Sequence, residues 1–318
     1  MRILITGGAG FIGSNLVSAL LQDDRVLLVR VLDNLATGSL TNINEFLPHK
    51  KFQFKEGDIR NYETCFQACT DIDLISHQAA LGSVPRSIND PLTSNEVNVT
   101  GTLNIFNAAK ENSCKRVVYA ASSSTYGDHQ GLPKVEEIIG NPLSPYAVTK
   151  YVNELYARVY AELYGMQIIG LRYFNIFGPK QNPDGPYAAV IPLFAEALLK
   201  NIAPTINGDG SHSRDFTYVD NAVEANILSL FTTNKEAINQ VYNIACGQQI
   251  SLLELFTILR KEAGSMLEPV YGPERTGDVK HSLADISKAK KHLGYNPATS
   301  VQEGLIKTFN WYKEQFNK

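Results

Sequence analysis

The first half of the chain alternates short apolar runs with longer segments of helical periodicity. Apolar spacing predicts helices such as Gly13 to Gln22 and Val99 to Asn112 between the runs. The runs themselves predict strands at Arg2 to Thr6, Leu27 to Leu32, Lys51 to Glu56, Asp73 to His77, Arg116 to Ala120 and Gln167 to Tyr173. Because strands that are apolar throughout must be covered on both faces, the pattern predicts an α/β fold with a doubly wound parallel sheet.

The pattern changes after Gly178-Pro179, where the loops become longer. We predict a large domain over residues 1–172, to which the chain returns near 217–240, and a smaller mixed α/β lobe over residues 173–318. A cleft between two such units is a common place for a ligand. Helices are predicted in this half at Val190 to Lys200, Val219 to Phe231, Leu252 to Ala263 and Val301 to Phe316.

Composition places the chain among globular proteins and argues against several other classes. Of its 318 residues, 44% are hydrophobic and 19% are charged, which is typical of a soluble enzyme. The net charge of −3 argues against non-specific nucleic-acid binding. The chain shows no signal peptide and no apolar run long enough to cross a membrane, so we expect a cytoplasmic protein. Its four cysteines lack metal-site or disulfide spacing, and we expect no metal.

A glycine-rich loop joins the first predicted strand to the first helix. Gly8-Ala9-Gly10-Phe11-Ile12-Gly13 fits the G-x-G-x-x-G pattern and overlaps the related spacing Gly7, Gly10, Gly13. Such glycines let the backbone approach a pyrophosphate at a helix N-terminus. Asp33 ends the second strand, twenty positions after Gly13, where a carboxylate binds a ribose hydroxyl and repels a 2′-phosphate. A glycine turn without a ligand is the alternative, but strand, helix and acid in register favour a Rossmann-type domain that binds NAD.

A tyrosine and a lysine lie one turn apart on a later helix. Ser144 and Pro145 are typical of an N-cap and a first helical position, which puts Tyr146 and Lys150 on one face. A free tyrosine titrates near pH 10, so it needs a nearby positive charge to act as a base. We expect the lysine ammonium and a nicotinamide ring to lower the pKa of Tyr146. By itself, this spacing occurs more often on ordinary amphipathic helices.

A run of hydroxyl residues strengthens that interpretation. Ala121-Ser122-Ser123-Ser124-Thr125-Tyr126-Gly127 follows the fifth predicted strand. The carboxyl ends of parallel strands are where open α/β sheets bind ligands. A serine run is also typical of a plain polar loop, but here the hydroxyls can bridge a substrate oxygen and Tyr146.

With these motifs together, the sequence resembles the extended short-chain dehydrogenase/reductases, and among them the nucleotide-sugar 4-epimerases. It is most similar to the bacterial UDP-N-acetylglucosamine 4-epimerases. The likeness covers essentially the whole chain. It is carried by the glycine loop, the serine run, Tyr146 with Lys150, and the segments Gly57 to Ile59, His77 to Ala80, Arg172 to Pro179, Ser213 to Phe216 and Arg275 to Val279.

The resemblance implies roles for individual residues. Tyr146, Lys150 and Ser122 would be catalytic. The NAD cofactor would be held by Gly7, Gly10, Phe11, Ile12, Gly13, Asp33, Asn34, Asp58, Ile59, Gln78, Ala79, Ala80, Tyr146, Lys150 and Tyr173. The UDP-sugar would be held by Ser83, Ser122, Ser123, Tyr146, Asn175, Gln181, Ala189, Val190, Arg214, Arg275, Asp278 and Ser282.

Two positions narrow the implied reaction. Related dehydratases carry an acidic pair where this chain has Ser123 and Ser124, so dehydration is disfavoured. Ser282 stands where epimerases restricted to glucose and galactose carry a bulky tyrosine, and a serine leaves room for an N-acetyl group. The implied activity is interconversion of UDP-N-acetylglucosamine and UDP-N-acetylgalactosamine, or of their uronic acids, through a transient 4-keto sugar.

Other functions remain open at this level. One alternative is a UDP-glucuronate decarboxylase or another nucleotide-sugar oxidoreductase, and another is a cofactor-binding module without turnover. The resemblance also implies a homodimer through helices near Val99 to Asn112 and Ala147 to Leu163, and a role in polysaccharide supply. Apolar residues on these helices belong either to that interface or to the core: Leu103, Phe106, Val152, Leu155 and Val159.

Overall fold

The computed structural model of the chain describes residues 1–183, 188–273 and 280–317. Within these ranges, one parallel sheet is formed by seven strands: β1 (Arg2–Thr6), β2 (Leu28–Asp33), β3 (Phe52–Glu56), β4 (Leu74–His77), β5 (Arg116–Ser122), β6 (Gln167–Tyr173) and β11 (Val241–Ile244). Their order across the sheet is β11-β6-β5-β4-β1-β2-β3. The predicted doubly wound parallel sheet is confirmed, and each of its six predicted strands is present within two residues of its expected ends.

Successive strand residues point to opposite sides of the sheet, so both of its faces are apolar and both are covered by helices. Ile3 and Ile5 pack into one apolar cluster, while Leu4 packs into another on the opposite face. Helices α1 (Phe11–Leu21) and α8 (Val219–Phe231) contribute to the first cluster. The second cluster draws on α2 (Tyr62–Cys69), α5 (Gly101–Glu111) and α6 (Pro145–Tyr164). Short helices α3 (Val84–Asn89) and α4 (Pro91–Asn95) and a π turn at Glu96–Thr100 precede α5.

The chain leaves the sheet after β6 and returns to it through α8 and β11. This return ends at Ile244, four residues beyond the 217–240 segment expected from the sequence. In the part of the chain that the structure describes, no helix combines the length and apolar character needed to cross a membrane.

The smaller lobe contains short two-stranded ladders and helices that share a core with the large domain. The first apolar cluster continues from Leu16 and Ala222 into Phe194, Phe256 and Phe309. One apolar core is therefore shared by the large domain and the predicted lobe. The lobe's strands are β7 (Ile176–Phe177), β8 (Thr205–Asn207), β9 (Ser213–Arg214), β10 (Thr217–Tyr218), β12 (Ile250–Ser251) and β13 (Val270–Gly272). Its helices are α7 (Val190–Leu199), α9 (Leu252–Ala263), α10 (Ser287–Leu293) and α11 (Val301–Phe316).

A buried ion pair joins α6 to the sheet behind the cleft. Arg172 on β6 lies 2.7 Å from Glu154 on α6, and both side chains are less than 10% exposed. The guanidinium also donates to the Glu136 carbonyl and lies over the Tyr126 ring, 4.8 Å from its centroid. Burial alone would lower the pKa of Arg172, but the Glu154 carboxylate outweighs it and raises that pKa. The pair therefore fixes the segment after β5 against the helix that carries Tyr146.

Replacing Glu154 with alanine should destabilise the protein strongly. The substitution leaves the Arg172 charge buried without its partner, which costs about 3–5 kcal/mol in comparable pairs. We expect Glu154→Ala to unfold at a clearly lower denaturant concentration than the wild type. Glu137→Ala is the matched control, since Glu137 pairs with Lys288 at 3.0 Å but its side chain is 66% exposed. That loss should stay below about 1 kcal/mol. Equal losses in the two variants would contradict the assignment.

Candidate active site

Two adjoining cavities, lined by described residues, form the cleft at the carboxyl edge of the sheet. The first has a volume of about 570 Å³ and meets the ends of β1, β2, β4, β5 and β6. The second, of about 640 Å³, lies against α7, β8 and β9 of the smaller lobe. Asn175, Ile176 and Gln181 line both cavities. A ligand with two linked halves would therefore extend through this junction.

The glycine loop forms one wall of the first cavity. Gly7 has φ +70°, and a Cβ there would lie 2.6 Å from the backbone nitrogen of Ala79. A Cβ on Gly13 would lie 2.1 Å from the Gly7 carbonyl oxygen, so a larger residue cannot occupy either position. Helix α1 begins at Phe11 after Gly10, which provides no side-chain cap among the described residues. Its first-turn amides are therefore suited to bind a phosphate.

Asp33 lies beside that loop at the end of β2. Its carboxylate accepts hydrogen bonds from the amides of Ala9 (2.9 Å) and Leu35 (2.8 Å). Burial raises the pKa of Asp33, and the two amide bonds oppose that rise. A carboxylate can accept about four hydrogen bonds, so capacity remains for ribose hydroxyls. Asp33 therefore both shapes the loop and lines the cavity.

The outer rim of this cavity carries Asn34, Asp58 and Ile59, together with an arginine that the sequence did not single out. Asn34 donates to Asp58 at 2.9 Å, and Arg60 pairs with Asp58 at 2.7 Å. The hydrogen bond from Arg60 lowers the pKa of Asp58 to about 2. Arg60 directly follows the Gly57–Ile59 motif, which was the only signal in the sequence that pointed to it.

Gln78, Ala79, Ala80 and Tyr173 line the floor of the cavity. The Tyr173 hydroxyl donates to Gln78 Oε1 at 3.0 Å and accepts from Asn226 Nδ2 at 2.7 Å. Burial raises the pKa of Tyr173 to about 12, so this tyrosine is a poor base. Its hydrogen bonds instead hold Gln78 in place.

Tyr146, Lys150 and Ser122 meet at the inner end of the cavity. Helix α6 begins as predicted, with Ser144 as N-cap accepting from the Ala147 amide at 3.1 Å. Ser122 lines this end of the cavity together with Tyr146, and its side chain acts to lower the pKa of that tyrosine. Lys150 is buried, with its Nζ 2.9 Å from the Ala120 carbonyl oxygen and 5.9 Å from the Tyr146 ring centroid. The serine loop and α6 thus bring a hydroxyl, a phenol and an ammonium together.

Burial dominates the electrostatics of this group. It raises the pKa of Tyr146, although the Ser122 side chain opposes the rise. Burial also lowers the pKa of Lys150 to about 8. Because desolvation disfavours the charged form of both residues, the expected lowering of the Tyr146 pKa stays a prediction that depends on the positive nicotinamide ring. A phenolate at neutral pH needs additional positive charge in the cavity.

Most of the predicted substrate residues line one of the two cavities. Ser122, Ser123 and Tyr146 line the first, while Ala189, Val190 and Arg214 line the second. At the junction, Asn175 has φ +41° and donates to the Asp215 carbonyl at 3.0 Å. Gln181 Oε1 is buried there without a hydrogen-bond partner among the described residues. An acceptor in that state is ready for a ligand donor.

Two predicted substrate residues are placed differently, and two others are not described. Ser83 and Ser282 are not among the described residues that line either cavity. Ser83 instead caps α3 by accepting from the Arg86 amide, and the Ser282 hydroxyl accepts from the Asp215 amide at 3.4 Å. Arg275 and Asp278 lie outside the described residues.

Asp215 supports this wall of the cleft, although no role was predicted for it beyond membership of the Ser213 to Phe216 motif. Its fully buried carboxylate accepts from the amides of Cys246 (3.0 Å), Gly247 (3.1 Å) and Ala284 (3.2 Å). Burial raises its pKa to about 6. The carboxylate therefore joins three separate segments beside Arg214 and Ser282.

The first cavity fits a dinucleotide by its own geometry. Its glycine cradle leaves no space for side chains, its helix N-terminus lacks a side-chain cap, and Asp33 has spare acceptor capacity. Within the described ranges, no group of His, Cys, Asp and Glu side chains is arranged to hold a metal ion.

Comparisons with known proteins identify the family of the chain. Residues 3–245 match the model of the "NAD dependent epimerase/dehydratase family". The chain is 38% identical to a putative UDP-glucose 4-epimerase of Methanocaldococcus jannaschii, with 98% of both chains covered.

Two solved structures share the whole fold. One is a UDP-N-acetylglucosamine 4-epimerase from Methanobrevibacter ruminantium in complex with UDP-N-acetylmuramic acid, with 39% identity, a TM-score of 0.93 and coverage of 99% of this chain and 98% of that one. The other is a UDP-glucuronic acid 4-epimerase from Bacillus cereus in complex with UDP-glucuronic acid and NAD. Its identity is 33%, its TM-score is 0.92 and the coverage is 99% of this chain and 100% of that one.

The expected resemblance and the expected cofactor are thereby confirmed. The chain belongs to the NAD-dependent epimerase/dehydratase family, as an NAD-dependent enzyme of the nucleotide-sugar 4-epimerase type.

Proposed function

We propose that the chain interconverts UDP-N-acetylglucosamine and UDP-N-acetylgalactosamine, or their uronic acids, through a transient 4-keto sugar. The observation that carries the proposal is the position of Tyr146, Ser122 and Lys150. They line the dinucleotide cavity, which meets the second cavity at Asn175 and Gln181. A nucleotide held in the second cavity would reach that junction with its sugar.

The side chains divide the chemistry among them. Tyr146 accepts the proton of the C4 hydroxyl and later returns it to the same oxygen. Ser122, which lines the cavity together with Tyr146, stabilises that oxygen as its charge changes. The first cavity would hold NAD, which would supply the acceptor and then the donor of the C4 hydride. The charge of Lys150, one turn along α6, favours the phenolate form of Tyr146.

Inversion at C4 requires firm anchoring of the nucleotide and freedom for the sugar. Apolar side chains such as Val190, Phe194 and Phe216 line the second cavity and are suited to bind a base and ribose. Arg214 lines the same cavity and is suited to bind a diphosphate. The sugar itself would meet small side chains such as Ser123 and Ala189, so it can turn and present its opposite face.

The same small side chains support an N-acetylated substrate. An acetamido group adds bulk at C2 and carries an N–H donor. The unpartnered acceptor of Gln181 is suited to such a donor. The similarity to a UDP-N-acetylglucosamine 4-epimerase also favours this substrate, while the UDP-glucuronic acid 4-epimerase relative keeps the uronic acids in the proposal.

Incubation with a panel of UDP-sugars and no added cofactor tests the proposed activity. We expect UDP-N-acetylglucosamine and UDP-N-acetylgalactosamine to reach the same mixture from either side, because retained NAD is regenerated in each cycle. Products would be separated by anion-exchange chromatography and their C4 configuration assigned by NMR. Release of carbon dioxide from UDP-glucuronate, or net formation of NADH, would contradict the proposal and indicate a decarboxylase or a net oxidoreductase.

Ser282→Tyr tests the effect of substrate size. Ser282 itself lines neither cavity, but its amide donates to the Ser213 carbonyl at 3.1 Å, next to the cavity-lining Arg214, so a tyrosine there would add bulk beside the second cavity. We expect the variant to lose about tenfold or more kcat/KM on the N-acetylated sugars and to keep its activity on UDP-glucose. Equal losses on both sugars would show that residue 282 does not determine the preference for N-acetylated sugars.

Tyr146→Phe should abolish turnover while the fold and the NAD content stay intact. The substitution removes one hydroxyl, and the helix cap at Ser144 and the packing of the ring do not depend on it. A loss of at least about 100-fold in kcat is expected for removal of a general base. Activity would be followed with the UDP-sugar panel, and NAD content by absorbance of the denatured supernatant. Retained activity would refute the assigned base.

We also propose that two copies associate through α6. An apolar stripe on this helix is exposed in the single chain at Val148 (48%), Leu155 (38%), Val159 (39%) and Leu163 (69%). The spacing of these residues places them on one helical face. By contrast, Phe106 on α5 is fully buried in the core. A two-fold axis would bring the α6 stripes of two copies together.

A double substitution on the stripe tests this association. Leu155→Glu with Val159→Glu places like charges at the centre of the proposed interface, so we expect a monomer in light scattering where the wild type is a dimer. Leu253→Glu, on α9 of the smaller lobe and 41% exposed, is the control that should stay dimeric. A wild-type monomer, or a dimer in the double variant, would count against the proposal.

A further inference from the structure

The serine run after β5 forms a short hydrogen-bonded turn. A 3-10 turn spans Ser123–Tyr126, and Ser122 is its N-cap. The Ser122 hydroxyl oxygen accepts from the Ser124 amide at 3.2 Å and from the Ser124 hydroxyl at 2.8 Å. Ser124 is thus bonded twice to the hydroxyl that faces Tyr146.

These two bonds determine which way the Ser122 proton points. A serine hydroxyl has one proton and two lone pairs. Ser124 uses both lone pairs, so the proton of Ser122 is left to donate. Ser122 is 8% exposed and lines the first cavity together with Tyr146, where its side chain opposes the rise of the Tyr146 pKa. The serine therefore acts as a donor toward the reacting centre.

We propose that Ser124 is a positioning residue, which holds Ser122 as a hydrogen-bond donor to Tyr146 and to the oxygen at C4 of the sugar. Ser124 is absent from the described residues that line the two cavities, whereas Ser122 and Ser123 are present. It therefore acts through Ser122 and not on a ligand. The inference rests on the proposed epimerase function for the sugar oxygen, and for Tyr146 on the two Ser124–Ser122 hydrogen bonds and the cavity that Ser122 and Tyr146 share.

The neighbouring contacts hold the turn independently of the Ser124 hydroxyl. The Tyr126 hydroxyl donates to Asn243 Oδ1 at 2.7 Å, and the Tyr126 ring lies under the Arg172 guanidinium. Thr125 is fully buried and donates to Glu154 at 3.5 Å. Removing the Ser124 hydroxyl should therefore free the Ser122 proton without displacing the turn.

Such a change has a defined consequence for Tyr146. A donor directed at the phenol oxygen stabilises the phenolate, whereas a Ser122 that can rotate would also accept from the neutral phenol. The neutral form of Tyr146 is then favoured over the phenolate. The acid limb of the kcat profile, which follows deprotonation of Tyr146, should move to higher pH.

Ser124→Ala and Ser124→Thr in the NAD-bound enzyme test the proposal. We expect Ser124→Ala to lower kcat about tenfold with KM and NAD content unchanged, since one oriented hydrogen bond to a charged group is lost. The acid limb should move up by about half to one pH unit. Ser124→Thr retains a hydroxyl and should restore both values. An unchanged kcat and acid limb in Ser124→Ala, or a threonine variant as impaired as the alanine variant, would overturn the assignment.

A double-mutant cycle separates action through Ser122 from a structural effect. In a Ser122→Ala background, the further Ser124→Ala change should cost no additional activity, because there is no hydroxyl left to orient. A second loss of similar size in that background would overturn the proposal.

A titration without sugar separates this inference from the proposed function. The near-ultraviolet phenolate absorbance of Tyr146, taken as the difference from the Tyr146→Phe enzyme, should shift to higher pH in Ser124→Ala. If the wild type epimerises no sugar of the panel, the proposed function fails, while this shift still supports the role of Ser124. An unshifted titration overturns that role even in an active epimerase.

Discussion

The whole site depends on one constraint, which is that all strands of a parallel sheet end at the same edge. Gly7, Asp33, Gln78, Ser122 and Tyr173 lie up to 166 positions apart in the chain, yet each lies at or directly after the end of a strand. The register of the strands brings these ends to one side, since Thr6 pairs with both Leu32 and His77. The residues predicted to bind phosphate, to bind ribose and to provide the catalytic hydroxyl therefore meet without any long loop to position them.

Burial at this edge of the sheet disfavours the charged forms of the side chains that are predicted to react. Tyr146 and Lys150 are both shifted toward their neutral forms, and Ser122 only partly opposes the shift at Tyr146. A site of this kind gains most from a positive group that enters the cavity, because low polarity strengthens the interaction. Binding of the cofactor would thus also activate Tyr146 as a base. A base that was already ionised in the empty protein would need a stronger fixed cation beside it.

Local sequence rules predicted much of the fold but less of the site. Strand ends, the Ser144 cap and the glycine loop follow from neighbouring residues, and all three are present. β11 was missed because four residues with Asn243 at their centre give no strand signal, and the strand exists only through its pairing with β6. Asp215 was missed because its hydrogen-bond partners come from distant segments of the chain. Arg60 was missed because it lies on the rim of the first cavity. Ser83 and Ser282 were predicted from the resemblance to a family. Only the structure shows that the Ser83 hydroxyl caps a helix and that the Ser282 hydroxyl accepts from a backbone amide.

The continuous core restricts how the sugar can change its face. Helix α11 packs against α7 and α9, and the Tyr312 hydroxyl near its end donates to the carbonyl of Gln181 at the junction of the two cavities. Asp215 fixes the opposite wall through three amides. These hydrogen bonds and the shared apolar core therefore favour rotation of the substrate, and not a movement of the two lobes, as the way in which the proposed reaction would invert C4.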